Sequence, residues 1–309
     1  MLIGALWVAA GLILVVSLFS ARLIVRPGRT RIWSTPKEVG LEYEDITFKA
    51  QDGVNLVGWF IPAPAQARRP APVVILVHGW PWCRMGTQAN NLLNDLPGNR
   101  PVNLLPFMKR LHDEGYHVLA ADHRNYGDSE SRGVVTGGWL ESRDVIGAVS
   151  YLEGRPDVDA DRIGGIGFSV GGCTLMYASP ITGRIKAAIA VQPSSAHVFG
   201  VTYAHAMLGP LAYLTFPLSV LFYRLAGGPS APSIDPASTA AGARAAFLYV
   251  QGTGDRWGTV KDVQRMAAMT PGSSAIYPET QHRFEGYRWV LDNPDVSVNF
   301  LRQHLSAAD

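Results

Sequence analysis

The sequence predicts an α/β fold built on a mostly parallel sheet with helices on both faces. Short continuous apolar runs, Val73–Val77, Tyr116–Ala121, Ile185–Val191 and Phe247–Val250, read as strands buried on both sides. Segments with helical apolar spacing, Leu104–Glu114 and Leu140–Leu152, lie between them. That alternation argues for parallel strands joined by helical crossovers.

Length and composition set the frame. A chain of 309 residues buries a sizeable core, and 47% apolar with 17% charged residues is ordinary for a globular protein. A formal net charge of +2 gives no electrostatic reason to expect nucleic acid. Two cysteines, Cys83 and Cys173, form no framework, and neither belongs to a C-x-x-C, so metal and redox readings lack support. Cys173 reads as a buried, inert thiol.

The N-terminus is distinctive. Residues 1–21 contain no Asp, Glu, Lys or Arg, and Arg22, Arg26, Arg29 and Arg31 follow at once. A helix of that length spans roughly 30 Å, the thickness of bilayer hydrocarbon. No charged residue precedes the run and no small-x-small site follows it, so it reads as an uncleaved membrane anchor rather than a signal peptide. The arginines on its C-terminal side place the rest of the chain in the cytoplasm by the positive-inside tendency.

Residues 22–40 read as a juxtamembrane linker and 41–309 as the globular domain. Tyr43–Ala50 and Val54–Phe60 suggest an antiparallel pair turned at Gln51-Asp52-Gly53. Trp80–Pro101 is a long polar insertion. Ala275–Tyr277 reads as a short last strand, and Tyr287–Leu305 as helix interrupted at Pro294. Between the runs at Ile185 and Phe247 the alternation breaks. Ala187–Tyr223 carries no Asp, Glu, Lys or Arg and is interrupted by Pro210 and Pro217. It reads as a helical cap at about 195–240 with an apolar face for an acyl chain or a membrane surface. A buried core segment and a second membrane span are the alternatives.

Gly167-Phe168-Ser169-Val170-Gly171 is a G-x-S-x-G with an apolar run before it and a helix-compatible run after it. This context fits a nucleophile elbow, a sharp strand-to-helix turn that projects a serine Oγ. In a chain with 32 Gly the pattern also arises by chance, so the partners decide it. A serine hydroxyl needs a base, and the base needs an orienting group. Asp255 and His282 each lie just past a strand-like run, and the order Ser169, Asp255, His282 suits a triad. Ser169 would attack, His282 would move the proton, and Asp255 would hold His282. The backbone N–H groups of Val170 and Trp80 are the expected oxyanion donors. His78 reads as shaping the oxyanion loop rather than as a base.

The segments VILVHGW, LAADHRNYGDSES, DRIGGIGFSVGG, VQGTGD and ETQHRF occur in the order found in the α/β-hydrolase superfamily. From about Leu41 to Leu305 the chain resembles that superfamily, and most resembles its capped lipase, esterase and aminopeptidase-like branch. The resemblance implies an eight-stranded sheet with its second strand antiparallel, a cap after the sixth strand, a triad at Ser169, Asp255 and His282, and no cofactor. Asn125 stands where the family's D-x-R-G-x-G-x-S has its first glycine, which affects a turn more than chemistry. The expected activity is hydrolysis of a carboxylic ester or thioester with a lipophilic acyl group at a membrane. A peptidase or amidase of the same fold is the second reading. A catalytically silent, membrane-bound interaction protein is the third.

Overall fold

The computed structural model describes residues 2–87 and 100–306. The chain opens with helix α1 (Leu2–Val25), which runs through Arg22 and ends four residues past the uncharged run. Strands β1 (Glu44–Lys49), β2 (Asn55–Ile61) and β3 (Ala71–Val77) follow. In the described part of the insertion, β4 (Gly86–Thr87) pairs with β5 (Val102–Asn103); residues 88–99 lie outside the described residues. Next come α2 (Leu105–Asp113), β6 (His117–Ala121), α3 (Ser142–Glu153), β7 (Val158–Phe168), α4 (Val170–Thr182) and β8 (Ile185–Val191). The cap contains α5 (Ala196–Leu208), α6 (Ala212–Leu225) and α7 (Pro236–Ala240). The chain closes with β9 (Ala246–Val250), α8 (Val260–Met269), β10 (Ser274–Ile276), α9 (Arg283–Asp292) and α10 (Pro294–Leu305).

Eight strands form one sheet in the order β1-β2-β6-β3-β7-β8-β9-β10. β2 runs antiparallel to both its neighbours, and β6, β3, β7, β8, β9 and β10 are parallel. The cap leaves the sheet after β8, the sixth strand of this sheet in sequence. The period-two alternation of a strand accounts for the two cores. Val73, Ile75 and Val77 of β3 face a cluster with Val145 and Val149 of α3, Leu175 and Met176 of α4, and Val263 of α8. Val74 and Leu76 face the opposite cluster, with Leu105 and Met108 of α2, Tyr287 of α9, and Leu301 of α10. Burial on both faces explains why these runs are apolar throughout.

The Asp122–Ser129 stretch is a polar clamp. Arg124 is buried and bonds Asp144 through Nε (2.8 Å) and Asp52 through Nη1 and Nη2 (2.8 and 2.7 Å). Asp122 accepts from the Arg84 backbone N–H (2.7 Å) and from its guanidinium, which fixes the start of the insertion. Asp128 pairs with Arg84 at 2.9 Å. Asn125 has φ 71, a left-handed conformation that Asn tolerates better than most residues. That explains how it substitutes for glycine in this motif.

The hydrogen bond from Arg124 is the first cause of a low Asp52 pKa, about 2 against an ordinary 3.8. A carboxylate with a lowered folded pKa stabilises above its unfolded value and loses that contribution as pH falls through the folded one. Asp52→Asn is therefore expected to cost about 1–2 kcal/mol near neutral pH. Chemical denaturation should show the difference from wild type shrinking between pH 4 and pH 2. An equal difference at both ends would contradict the assignment.

Candidate active site

Ser169 stands between β7 and α4 with φ 54 and ψ −117, one of three non-glycine residues with positive φ among the described residues. Its strain is held from both sides. A Cβ on Gly167 would overlap the Gly171 backbone, and one on Gly171 would overlap the Val77 carbonyl at the end of β3. Only glycine lets strand, turn and helix approach this closely. The Ser169 N–H bonds the Val191 carbonyl (2.8 Å), which ties the turn to β8. Ser169 is 9% exposed.

The His78-Gly79-Trp80 turn rests directly on this elbow. A Cβ on Gly79 would lie 3.1 Å from the Phe168 carbonyl and 3.2 Å from Ser169 Cβ. His78 locks the turn. Its Nδ1 bonds the Gly79 carbonyl (2.8 Å), and its Nε2 accepts the His123 N–H (3.0 Å), so the neutral tautomer carries its proton on Nδ1. Burial, followed by the neighbouring His123, pushes its pKa well below the usual histidine value. Val170 is the first residue of α4, where helical N–H groups lack an intrahelical acceptor.

Asp255 follows β9 and is buried. Its Oδ1 accepts the N–H groups of Trp257 (2.9 Å) and Gly258 (3.0 Å). Its Oδ2 accepts Gln251 Nε2 (3.1 Å) and is paired with Arg283. Arg283, 4% exposed, also donates from Nη2 to Ser169 Oγ (2.9 Å) and to the Gln192 carbonyl (2.6 Å). Burial works to discharge this guanidinium, but the Asp255 carboxylate and Tyr287 beside it together offset that and keep its pKa above the ordinary value. Tyr287 of α9 interacts with both Ser169 and Arg283, and burial pushes its pKa up to about 12.

Ser169 and Asp255 are thus joined, but through Arg283. His282, expected between them, is the N-cap residue of α9, with its Nε2 3.4 Å from Glu285 Oε1. Its Nδ1 is buried without a hydrogen-bond partner. The reason is local. His282 has extended backbone (φ −156, ψ 170), and successive side chains on extended backbone point to opposite sides. With Arg283 turned inward, His282 turns away. Sequence reasoning missed Arg283, Tyr287 and Gln192. An arginine in the first turn of a helix ordinarily reads as solvated, and Gln192 betrays itself only through its φ of 52.

The cap roofs this centre. Phe199 of α5 lies with its ring 5.6 Å from the Arg283 guanidinium, and Phe199 and Tyr203 meet Trp80 and Trp257 edge to face. Thr202 Oγ1 donates to the Trp257 carbonyl (2.6 Å). Cys173 is buried beneath the elbow, and burial pushes its pKa to about 12, as suits an inert thiol.

A parallel sheet with one antiparallel strand near its edge, and a serine on a positive-φ turn between a strand and a helix, define an α/β-hydrolase. The chain belongs to the X-Pro dipeptidyl-peptidase (S15) family, whose model matches residues 52–215, just over half of it. The match takes in Trp80, Ser169 and Val170 and ends before Asp255 and His282. The Salmonella typhi protein YfhR is 28% identical over 279 residues, covering 86% of this chain and 84% of its own. The putative hydrolase YtaP of Bacillus subtilis is 30% identical over 138 residues, covering 41% of this chain and 44% of its own. Among solved structures, an esterase of Pyrococcus furiosus superposes with a TM-score of 0.70 at 23% identity, covering 92% of this chain and 99% of its own. An acylaminoacyl peptidase of Pyrococcus horikoshii gives 0.64 at 16% identity, covering 88% of this chain and 43% of its own. At these identities the likeness to the solved structures is one of fold.

The elbow packing makes a direct test. Gly171→Ala forces a methyl against the Val77 carbonyl, an overpacking expected to cost about 1–3 kcal/mol. Thermal unfolding should show a clear drop in Tm. An unchanged Tm would show that the elbow is not packed this tightly.

Proposed function

We propose that the protein is a membrane-anchored serine hydrolase that cleaves carboxylic esters or thioesters with a lipophilic acyl group. The observation that carries the reading is Ser169 at φ 54 on the elbow, one guanidinium away from the buried Asp255 carboxylate. Ser169 Oγ attacks the acyl carbonyl, and the N–H groups of Val170 and Trp80 receive the oxyanion. The arrangement described above is then a resting one. A guanidinium has donors and no acceptor, so Arg283 cannot take the serine proton. Tyr287, its pKa pushed up by burial to about 12, stays protonated and offers no base. In the working arrangement His282 exchanges with Arg283, places its imidazole between Ser169 and Asp255, and shuttles the proton from nucleophile to leaving group. The unpartnered Nδ1 of His282 disfavours the resting arrangement and would gain Asp255 as its acceptor in the exchange.

Two observations favour other readings. The S15 match favours cleavage after an X-Pro dipeptide, which needs an acidic group for the substrate's ammonium terminus. Against this, Asp255 is already engaged, the cap helices α5 and α6 carry no carboxylate, and Asp235 of the cap is paired with Arg265. Arg283 in the base position favours a silent scaffold.

A fluorophosphonate probe should label the full-length protein, and Ser169→Ala should abolish labelling. His282→Ala should slow it by about 10³-fold or more, the scale of losing a triad member, while Arg283→Gln should label at least as fast as wild type. Labelling that needs Arg283 and ignores His282 would overturn the exchange, and no labelling at all would favour the silent scaffold.

Substrate class is read separately. Turnover of p-nitrophenyl esters should rise from acetyl to medium and long acyl chains, with little cleavage of X-Pro p-nitroanilides. Faster cleavage of the anilides would establish the peptidase reading instead.

A further inference from the structure

The cap is built against the N-terminal helix along a definite seam. Ser17 and Ala21 of α1 are buried, as are Thr215 and Ser219 of α6. Ser219 Oγ donates to the Ser17 carbonyl (3.1 Å). Further along, Arg22, Val25 and Arg26 of α1 line one hollow with Ala226, the residue that caps α6. The two contacts give the helices a parallel register, with residue 17 beside 219 and residues 22–26 beside 226. Both sequences change character at the same level. The uncharged run of α1 ends at Arg22, and that of the cap ends at Arg224. Each arginine lies five residues beyond its member of the Ser17–Ser219 contact.

Outside the seam the pair is apolar and uncovered. Trp7, Leu12, Val15 and Phe19 of α1 are exposed, as are Tyr213, Leu214, Leu221 and Leu225 of α6. Tyr213 is 73% exposed and Leu214 56%. Two helical segments, Ile3–Val25 and Ala196–Leu225, are long and apolar enough to cross a membrane by length and composition. The second is bent back on itself at Gly209–Leu211, where the Gly209 N–H bonds the His205 carbonyl and the Ala212 N–H bonds the Gly209 carbonyl. A turn with its backbone groups satisfied tolerates an apolar medium. The base of the hairpin is fixed to the domain, because Tyr223 OH donates to the Val135 carbonyl (3.0 Å). The segment after α1 is docked too, with Thr30 Oγ1 on the Pro81 carbonyl (2.7 Å) and Arg29 on the Gly127 carbonyl (2.7 Å).

We infer that the α5–α6 hairpin is a re-entrant membrane element, inserted beside α1 into the leaflet at the arginine end. Its occupant is phospholipid. Acyl chains cover the exposed apolar faces, and anionic headgroups meet Arg22, Arg26 and Arg224 at the common level where charge begins. Lengths agree. At 1.5 Å per residue, α1 from Arg22 back to Leu2 covers about 30 Å, a full hydrocarbon core, while α6 from Arg224 back to Ala212 covers about 18 Å, just past its middle. Residues 3–12 of α1 are exposed on all sides, as expected where α1 continues alone into the far leaflet. The other limb, α5, carries Phe199 and Tyr203 onto the roof of the Ser169 centre, so an acyl chain would enter sideways from the leaflet along α5. The direction of entry rests on the hydrolase reading, whereas the insertion does not.

Single cysteines at Leu12, Leu214, Leu221 and, as a control on the domain, Glu153 would be labelled with an environment-sensitive nitrobenzoxadiazole in the full-length protein. Cys83 and Cys173 are buried and should not react. In vesicles of phosphatidylcholine and phosphatidylglycerol, labels at 12, 214 and 221 should shift to the blue and be quenched by lipids brominated in mid-chain, with the label at 153 unaffected. A watery signal at 214 and 221 with quenching at 12 would overturn the insertion and keep the anchor. A blue shift there without lipid quenching would mean a protein partner, such as a second copy, and would also overturn it. Leu214→Glu combined with Leu221→Glu should lower turnover of a vesicle-borne long-chain ester by about tenfold or more, given the cost of charge in hydrocarbon, and leave a water-soluble acetyl ester unchanged. Inactivity toward every ester would count against the hydrolase reading and leave the quenching result standing.

Discussion

The backbone at Ser169 is the constraint on which the rest depends. A residue at φ 54 and ψ −117 persists only where its surroundings over-determine it. Here β3 supplies the Val77 carbonyl against Gly171, β8 supplies the acceptor for the Ser169 N–H, and α4 starts at the next residue. The sheet order brings these pieces together, because β7 lies between β3 and β8. The His78-Gly79 turn closes on the same point and is itself pinned by the neutral His78 imidazole. The strained serine is therefore a product of the whole central sheet.

Around that fixed point the charges are arranged in a less expected way. Asp255 is held by two backbone N–H groups and Gln251, and the cation it faces is Arg283. Breaking a buried ion pair by deleting one partner is costly, because the other charge is left uncompensated. A histidine that replaces the guanidinium and becomes imidazolium during the reaction would keep Asp255 paired at the moment charge matters. The extended backbone at His282 turns its imidazole away while Arg283 fills the space between Ser169 and Asp255.

The fold was legible because it rests on repetitive signals. Runs such as Val73–Val77 and Ile185–Val191 are apolar throughout since both sheet faces are covered, and Pro210 and Pro217 fall in the cap, at its turn and within α6. The elbow was legible because its glycines are steric requirements. Asn125 kept the left-handed turn its motif demands. The Arg283 contact was not legible. Which of two adjacent side chains points inward is decided by one pair of backbone torsions, and no sequence period reports it. The seam of α6 on α1 was hidden for another reason: it joins Ser17 to Ser219 across most of the chain, through small residues that carry no signal on their own.

The proposed hydrolysis turns on which side chain stands beside Ser169 when it reacts. The most direct measurement is a crystal structure of the full-length protein with a phosphonate bonded to Ser169 Oγ. The expected result has His282 within hydrogen-bond reach of both the phosphonate and Asp255, the phosphonyl oxygen on the N–H groups of Val170 and Trp80, and Arg283 displaced. Arg283 still seated on Asp255, with His282 still turned to Glu285, would contradict the account.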